Sequence, residues 1–369
     1  MTGLTNATMS ANLAPIQISR SAVVTRKLCP MKRWWSYHAL HPDVPATTQV
    51  GGLDPVRPST PTVTPILRGQ WIHRALEHAI RQATGQPDDW ALRPQIEADL
   101  PGLSEPVATG WETLIRRLTW GWMTVRGTQL LDRYQPISAE QEWAWSLHPL
   151  VAQSMRMDQI WRDRTTGRLL IVDFKTLAKP DANWGERYAM SDQTHSYIQA
   201  LIERTQEPVL GIQYEGLLIG TADEDLGCQR SPYVTAYAKG QTLSPTYSPG
   251  SRVVRLPAEW DDATWQAWLP RPVLESLFCT TEPLLPATAQ LLQTKAATVH
   301  AEIQWASLAA EVEADPSKRE ALIERNPDAC LKYGWGHACP YLHLCWSGFE
   351  PDADTFMPRV DHHATDPTS

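Results

Sequence analysis

Apolar and polar positions alternate along this chain with two different periods. Ile72, Ala75, Leu76, Ala79 and Ile80 recur at three- and four-residue spacing, which predicts an amphipathic helix starting near Ile66. Trp111, Leu114, Leu118 and Trp122 repeat that spacing and predict a second helix over 107–133. From 139 to 176 the period drops to two. There SMRMDQIWRD and RLLIVDFKT flank Thr165-Thr166-Gly167, which reads as a hairpin turn. Residues 190–205 return to helical spacing, VLGIQYEGLLIG reads as a buried strand, and 283–325 is largely helical. Short strands are expected around Tyr233–Tyr237 and Val253–Leu256, and a short helical segment around Cys29 within 21–40. Residues 41–65, rich in proline, threonine and glycine, read as a loop. The ends, 1–20 and 347–369, are expected to be flexible tails. Strands and helices interleaved in this way define an α/β chain.

Composition narrows the picture. The 369 residues allow two domains or one elaborate one. A hydrophobic fraction of 42% and a charged fraction of 20% exclude a wholly disordered chain. No apolar run approaches the ~18 residues of a membrane span. The first twenty residues have neither the basic start nor the apolar core of a secretory signal. With 33 basic and 41 acidic residues the net charge is −8, which excludes a uniformly basic nucleic-acid coat but not a local basic groove. Arg26, Lys27, Lys32 and Arg33 form such a local cluster. The 17 tryptophans are expected to be mainly core.

Candidate chemistry concentrates in the hairpin. A turn centred between Thr165 and Thr166 puts Asp158 directly opposite Asp173, with Cβ atoms ~5 Å apart. Two carboxylates that close repel unless a cation lies between them, and magnesium or manganese would satisfy them. Lys175 lies two residues beyond Asp173 and shares its face. His73 borders the apolar stripe of the first helix, with Glu77 one turn on. An imidazole beside two carboxylates favours manganese or another transition ion over calcium. Gln193 and Tyr197, at i and i+4, share a helix face and suit a pair that holds a nucleic-acid backbone.

Cys330, Cys339 and Cys345 fall within CLKYGWGHACPYLHLC. Three thiols so close suit tetrahedral zinc or an iron–sulfur cluster, either of which needs a fourth ligand. The candidates are Cys29, His337, His343, Cys228 and Cys279, and Cys29 is favoured because it would staple the two ends of the fold. His337 and His343 keep zinc as the alternative.

Taken in order, these residues resemble the RecB-like branch of the PD-(D/E)XK nuclease superfamily. The resemblance is closest to its iron–sulfur members: the AddB nuclease domain, CRISPR-adaptation exonucleases and related phage proteins. GQWIH matches the G-x-x-x-H element, MRMDQI the first metal aspartate, IVDFKT the D-x-K core, and Gln193 with Tyr197 the Q-x-x-x-Y element. One cysteine before the core and three after it match the family's staple. Two features depart from the pattern. Eight residues separate Cys330 from Cys339, which leans toward a phage-type variant, and SMRMD lacks the usual glycine before Asp158.

The resemblance implies a single nuclease domain over 21–346 with a restriction-endonuclease-like core, a central mixed sheet flanked by helices, its ends stapled by a cysteine-ligated cluster. It implies a metal-dependent deoxyribonuclease acting on DNA ends in recombination, repair or phage DNA processing, in the cytoplasm of a bacterial or phage-infected cell. His73, Asp158, Asp173 and the carbonyl of Phe174 would hold magnesium or manganese, with Lys175 positioning the attacking water. A 4Fe-4S cluster on Cys29, Cys330, Cys339 and Cys345 would be structural, and the basic cluster would contact phosphates. No G-x-x-x-x-G-K-[ST] loop is present, so any helicase or recombination motor would be a separate partner. The competing reading is a catalytically inactive DNA-binding or scaffold protein.

Overall fold

The computed structural model describes residues 16–39, 52–55, 63–177, 183–219, 233–237, 253–257, 261, 263, 274–275, 277–331, 339–346, 351 and 355–358. The first half contains β1 (Ile16–Ser19), α1 (Arg20–Leu28), α2 (Pro30–Tyr37), β2 (Leu53–Pro55), α3 (Pro65–Ala83), α4 (Leu92–Asp99), α5 (Glu105–Trp122), α6 (Thr128–Arg133), β3 (Tyr134–His148), β4 (Val151–Asp163) and β5 (Leu169–Leu177). Then follow α7 (Trp184–Ala189), α8 (Asp192–Thr205), β6 (Val209–Leu218), β7 (Tyr233–Tyr237), β8 (Val253–Pro257), β9 (Phe278–Thr280), α9 (Thr288–Ala314), α10 (Arg319–Leu322), α11 (Pro327–Leu331), α12 (Leu342–Trp346) and β10 (Phe356–Pro358). The chain forms two compact units, one of 1–57, 143–155 and 292–369, the other of 58–142 and 156–291. No helix among the described residues is long and apolar enough to cross a membrane.

The second unit is a mixed sheet with helices on it. β5 pairs antiparallel with β4 and parallel with β6, whose other edge carries β9 antiparallel. The β4–β5 turn fixes the register. Asp163 accepts from the backbone N–H groups of Thr165 (2.9 Å) and Thr166 (2.8 Å), and Gly167 takes the left-handed φ of +71°. Gln159 then lies opposite Val172, Ile160 opposite Ile171, Trp161 opposite Leu170 and Arg162 opposite Leu169. Leu169 to Val172 are buried on both faces, as a strand covered by helices requires. Phe174 faces α3 and α5, its ring 5.1 Å from that of Trp122, while the next residue inward, Asp173, faces α8. Helix α3 begins where expected because the Thr64 side chain accepts from the Leu67 N–H and Pro65 opens the first turn. It buries Trp71, Ile72, Ala75, Leu76 and Ile80.

The first unit has its own core, in which Met31, Trp34 and Trp35 of α2 meet Trp305, Ala309 and Val312 of α9. Ten of the tryptophans named as buried across the two units bear out their core assignment: 34, 35, 71, 111, 122, 143, 145, 161, 184 and 305.

Several local expectations need correction. Ile16–Ser19 and Phe356–Pro358 lie in the stretches read as tails, yet each is a strand, paired with Val151–Ser154 and Leu53–Pro55 respectively. Helix α4 lies where no element was expected, because Leu92, Ile96 and Leu100 supply too short a stripe to stand out. The expected 107–133 helix is interrupted by a π-helical turn at Met123–Gly127.

The basic cluster also reads differently in three dimensions. Arg26 Nε and Arg33 Nη1 converge on Glu302 at 3.0 and 2.7 Å, Arg33 lies over the Trp305 ring, and Lys32 is buried. Arg26 and Arg33 are therefore spent on an internal carboxylate rather than on phosphates. Glu302→Ala leaves the buried Arg33 guanidinium without its counter-charge and should cost about 3–5 kcal/mol. Equilibrium denaturation in urea is the measurement, and a loss under ~1 kcal/mol would contradict this account.

Candidate metal centre

The end of the β4–β5 hairpin gathers the titratable groups. The paired register ends at Gln159–Val172, and Asp158 and Asp173 are the next residues beyond it on the two strands. Asp158 Oδ2 accepts from the backbone N–H of Phe174 at 2.7 Å. It also lies 3.3 Å from His73 Nδ1 of α3. The His73 ring is set edge-on to Phe174, 6.1 Å away, which fixes the direction in which its nitrogens point.

A third ligand atom comes from a residue the sequence reading did not select. Glu140 Oε1 stands 4.0 Å from His73 Nδ1, and His73, Glu140 and Asp158 each offer one ligand atom within 4.8 Å of the others. Divalent ions bind such donors at ~2.0–2.6 Å, so this spacing fits one ion between the three side chains. Glu140 reaches the centre because its backbone takes φ +48° in the middle of β3. A non-glycine residue held there costs about 1–3 kcal/mol, and such strain gathers at functional sites. No pattern in the sequence marks that kink. Glu77, by contrast, turns away and pairs with Arg74 and with Arg81 at 2.8 Å.

Asp173 is fully buried and engaged on both oxygens: Oδ1 accepts from Gln193 Nε2 at 2.8 Å and Oδ2 pairs with the Lys175 ammonium. Lys175 Nζ in turn lies over the rings of Tyr188 (5.8 Å) and Tyr214 (5.5 Å), which stack on each other. Gln193 and Tyr197, expected to hold a nucleic-acid backbone, make internal bonds here. Both are buried, Gln193 donating to Asp173 and Tyr197 Oη donating to the Arg156 carbonyl at 2.6 Å. Their polar atoms face inward because α8 packs on β6 with this face down.

Electrostatics follow from burial against charge. Burial pushes the Asp173 carboxyl up, Lys175 opposes, Asp158 adds, and the result is about 6. Burial and the Asp158 charge together push Glu140 up to about 7, against His73 and Arg156. Asp158 is the exception: burial raises it, but the His73 charge and hydrogen bond win and hold it low. Burial alone would lower His73, and the Asp158 carboxylate raises it instead. Lys175 is likewise disfavoured by burial and held charged by Asp173 and Asp158. Asp173 and Glu140 thus hold protons more tightly than free carboxyls do, beside an Asp158 held charged.

The four cysteines expected to form a staple all lie in the first unit. Cys29 joins α1 to α2, Cys330 lies in α11, Cys345 in α12, and the Cys339 N–H donates to the Cys330 carbonyl at 2.7 Å. All four are buried free thiols. Burial pushes Cys345 up to about 11 against a hydrogen bond from Trp35, and the other three thiols raise it further. No three of these sulfurs lie within 4.8 Å of one another. His337 and Cys228 fall outside the described residues. Cys279 belongs to β9 in the second unit, beside Gly216.

Residues 17–346 match the family model of the PD-(D/E)XK nuclease superfamily. The chain belongs to that superfamily, whose members are nucleases using divalent metals. No curated protein matches it.

The raised acids set a pH signature. In metal-free folded protein Asp173 and Glu140 keep protons that the unfolded chain releases nearer pH 4, so the folded state binds more protons between about 4 and 7. Stability should therefore fall as pH rises through that window, and His73, also raised, continues the fall above its ordinary range. Melting temperatures in chelator, followed from pH 4.5 to 7.5, check this; Glu140→Gln should flatten the upper part of the slope.

Proposed function

We propose that this protein is a magnesium- or manganese-dependent exonuclease that hydrolyses phosphodiester bonds at DNA ends in recombination, repair or phage DNA processing. The observation that carries the reading is the group His73, Glu140 and Asp158, whose ligand atoms lie within 4.8 Å of one another, with Lys175 on the neighbouring Asp173 carboxylate. The donor set fits a divalent ion, and Asp158 and His73 would hold it, with Glu140 as the added ligand and Asp173 close behind. A bound ion would supply Lewis-acid polarisation of the phosphate and lower the pKa of a water. The chain's own part is positioning. Gln193 orients the Asp173 carboxylate, and the Phe174 N–H fixes Asp158. The Lys175 ammonium, held charged, offsets negative charge developing at the phosphate and orients the attacking water. Retention of Asp158, Asp173 and Lys175 together speaks against the inactive scaffold reading. Action at ends, rather than within a strand, rests on the resemblance to RecB-like exonucleases.

The same proposal gives the four buried thiols a structural 4Fe-4S cluster. The cluster reading rests on the resemblance to the iron–sulfur nucleases and on four buried thiols lying in one unit, with zinc as the alternative. Burial pushes the Cys339 and Cys345 thiols up, so these two ionise only when a cationic group takes them, which suits ligands of a buried cluster. Anaerobically purified protein should be brown and absorb near the visible charge-transfer region; colourless protein carrying one zinc would refute the cluster.

The activity test is degradation of end-labelled linear DNA with manganese, beside closed circular DNA. Linear DNA alone should be degraded, and Asp173→Asn and Lys175→Ala should each slow the reaction at least about a hundredfold. Cleavage of the circle would make it an endonuclease, and no degradation of any form by cluster-replete protein would return the scaffold reading.

A further inference from the structure

Helix α3 carries His73 on one side and, on the other, lines a cavity of about 550 Å³ through Ala75, His78, Ala79 and Gln82. At ~100° per residue these four positions fall on the half of the helix opposite His73. The cavity's other walls are the segment around Trp90 and the exposed side of α5, ending at Met123, where the π-helical turn begins. Its volume is that of a small-molecule site. Nothing in the hydrolysis proposed above uses it.

Its chemistry is specific. Thr119 is 8% exposed, and its hydroxyl has no hydrogen-bond partner among the described residues. The indole N–H of Trp90 is likewise buried and unpartnered among them. A buried polar atom without a partner costs about 1–3 kcal/mol, so two in one cavity wall point to a ligand that satisfies them. Trp120 remains 40% exposed, an unusual state for so large an apolar ring. Arg116 precedes Trp120 by one turn on the same face. It is exposed and has no ion-pair partner among the described residues, since the nearby Glu112 reaches Arg93 instead, at 3.7 Å. His78 on the wall pairs with Asp88 at 3.2 Å.

From this combination we infer that the cavity binds a nucleoside monophosphate unit. The base stacks on Trp120, its polar edge meets the Thr119 hydroxyl and the Trp90 N–H, and its phosphate pairs with Arg116 at the mouth. The unit is either a free mononucleotide or one nucleotide of a bound strand. The site is independent of the catalytic reading, because it lies on the far face of α3 and is read by binding alone.

The test is calorimetric titration of the full-length protein with 2′-deoxyadenosine 5′-monophosphate in chelator, which silences the metal centre. Asp173→Asn should bind as the parent does. Trp120→Ala should weaken binding at least about fivefold, the lower end of a lost base–aromatic stack. Arg116→Ala should weaken the monophosphate but not deoxyadenosine, and Thr119→Val, nearly isosteric, should weaken both. Displacement of the nucleotide by a twelve-residue oligodeoxynucleotide assigns the site to a strand, and its failure to compete assigns the site to free nucleotide. The inference is overturned if no binding is seen at millimolar nucleotide, or if Trp120→Ala and Arg116→Ala, both surface changes that leave folding intact by circular dichroism, bind like the parent.

Discussion

Two carboxylates brought close together at the end of a buried strand pair constitute an unfavourable arrangement that everything around them answers. At the end of the β4–β5 hairpin, Asp158 and Asp173 cannot both ionise freely away from water. The protein resolves this by unequal treatment. Asp158 is given His73 and a backbone N–H and stays charged; Asp173 is given Lys175 and an amide and keeps some affinity for a proton.

The supporting architecture follows from where those groups must be. β5 is covered on both faces, so its apolar run excludes water right up to the site. α3 brings His73 from one side and α8 brings Gln193 from the other. The stacked Tyr188–Tyr214 pair gives Lys175 an apolar, electron-rich bed that shields its pairing with Asp173 from solvent competition. In the first unit a comparable economy applies to Glu302, on which two arginines converge.

Much of this was legible in the sequence, and the reasons differ by residue. The hairpin register could be read because one local device, an Asp-capped turn with a glycine, fixes it, and the pairing follows from there up to Gln159 and Val172. Membership of the superfamily was legible because D-x-K and the histidine are short-range motifs. Glu140 was not, since it depends on a backbone kink that no side-chain pattern encodes. The inward direction of Gln193 and Tyr197 was not, because spacing gives a shared helix face but not what covers it. The basic cluster misled because its counter-charge, Glu302, lies 276 residues beyond Arg26. Local charge counts cannot see such a partner.

The left-handed backbone at Glu140 has a consequence for how this chain can change. Glycine is the residue that conformation prefers, so a substitution there would relax the strand while deleting a donor from the centre. Selection for robustness alone would push position 140 toward glycine; selection for chemistry would keep the acid. On the proposed reading of the centre, the residue at position 140 would be a marker by which active and decayed descendants of this chain are told apart, even where the D-x-K core is still intact.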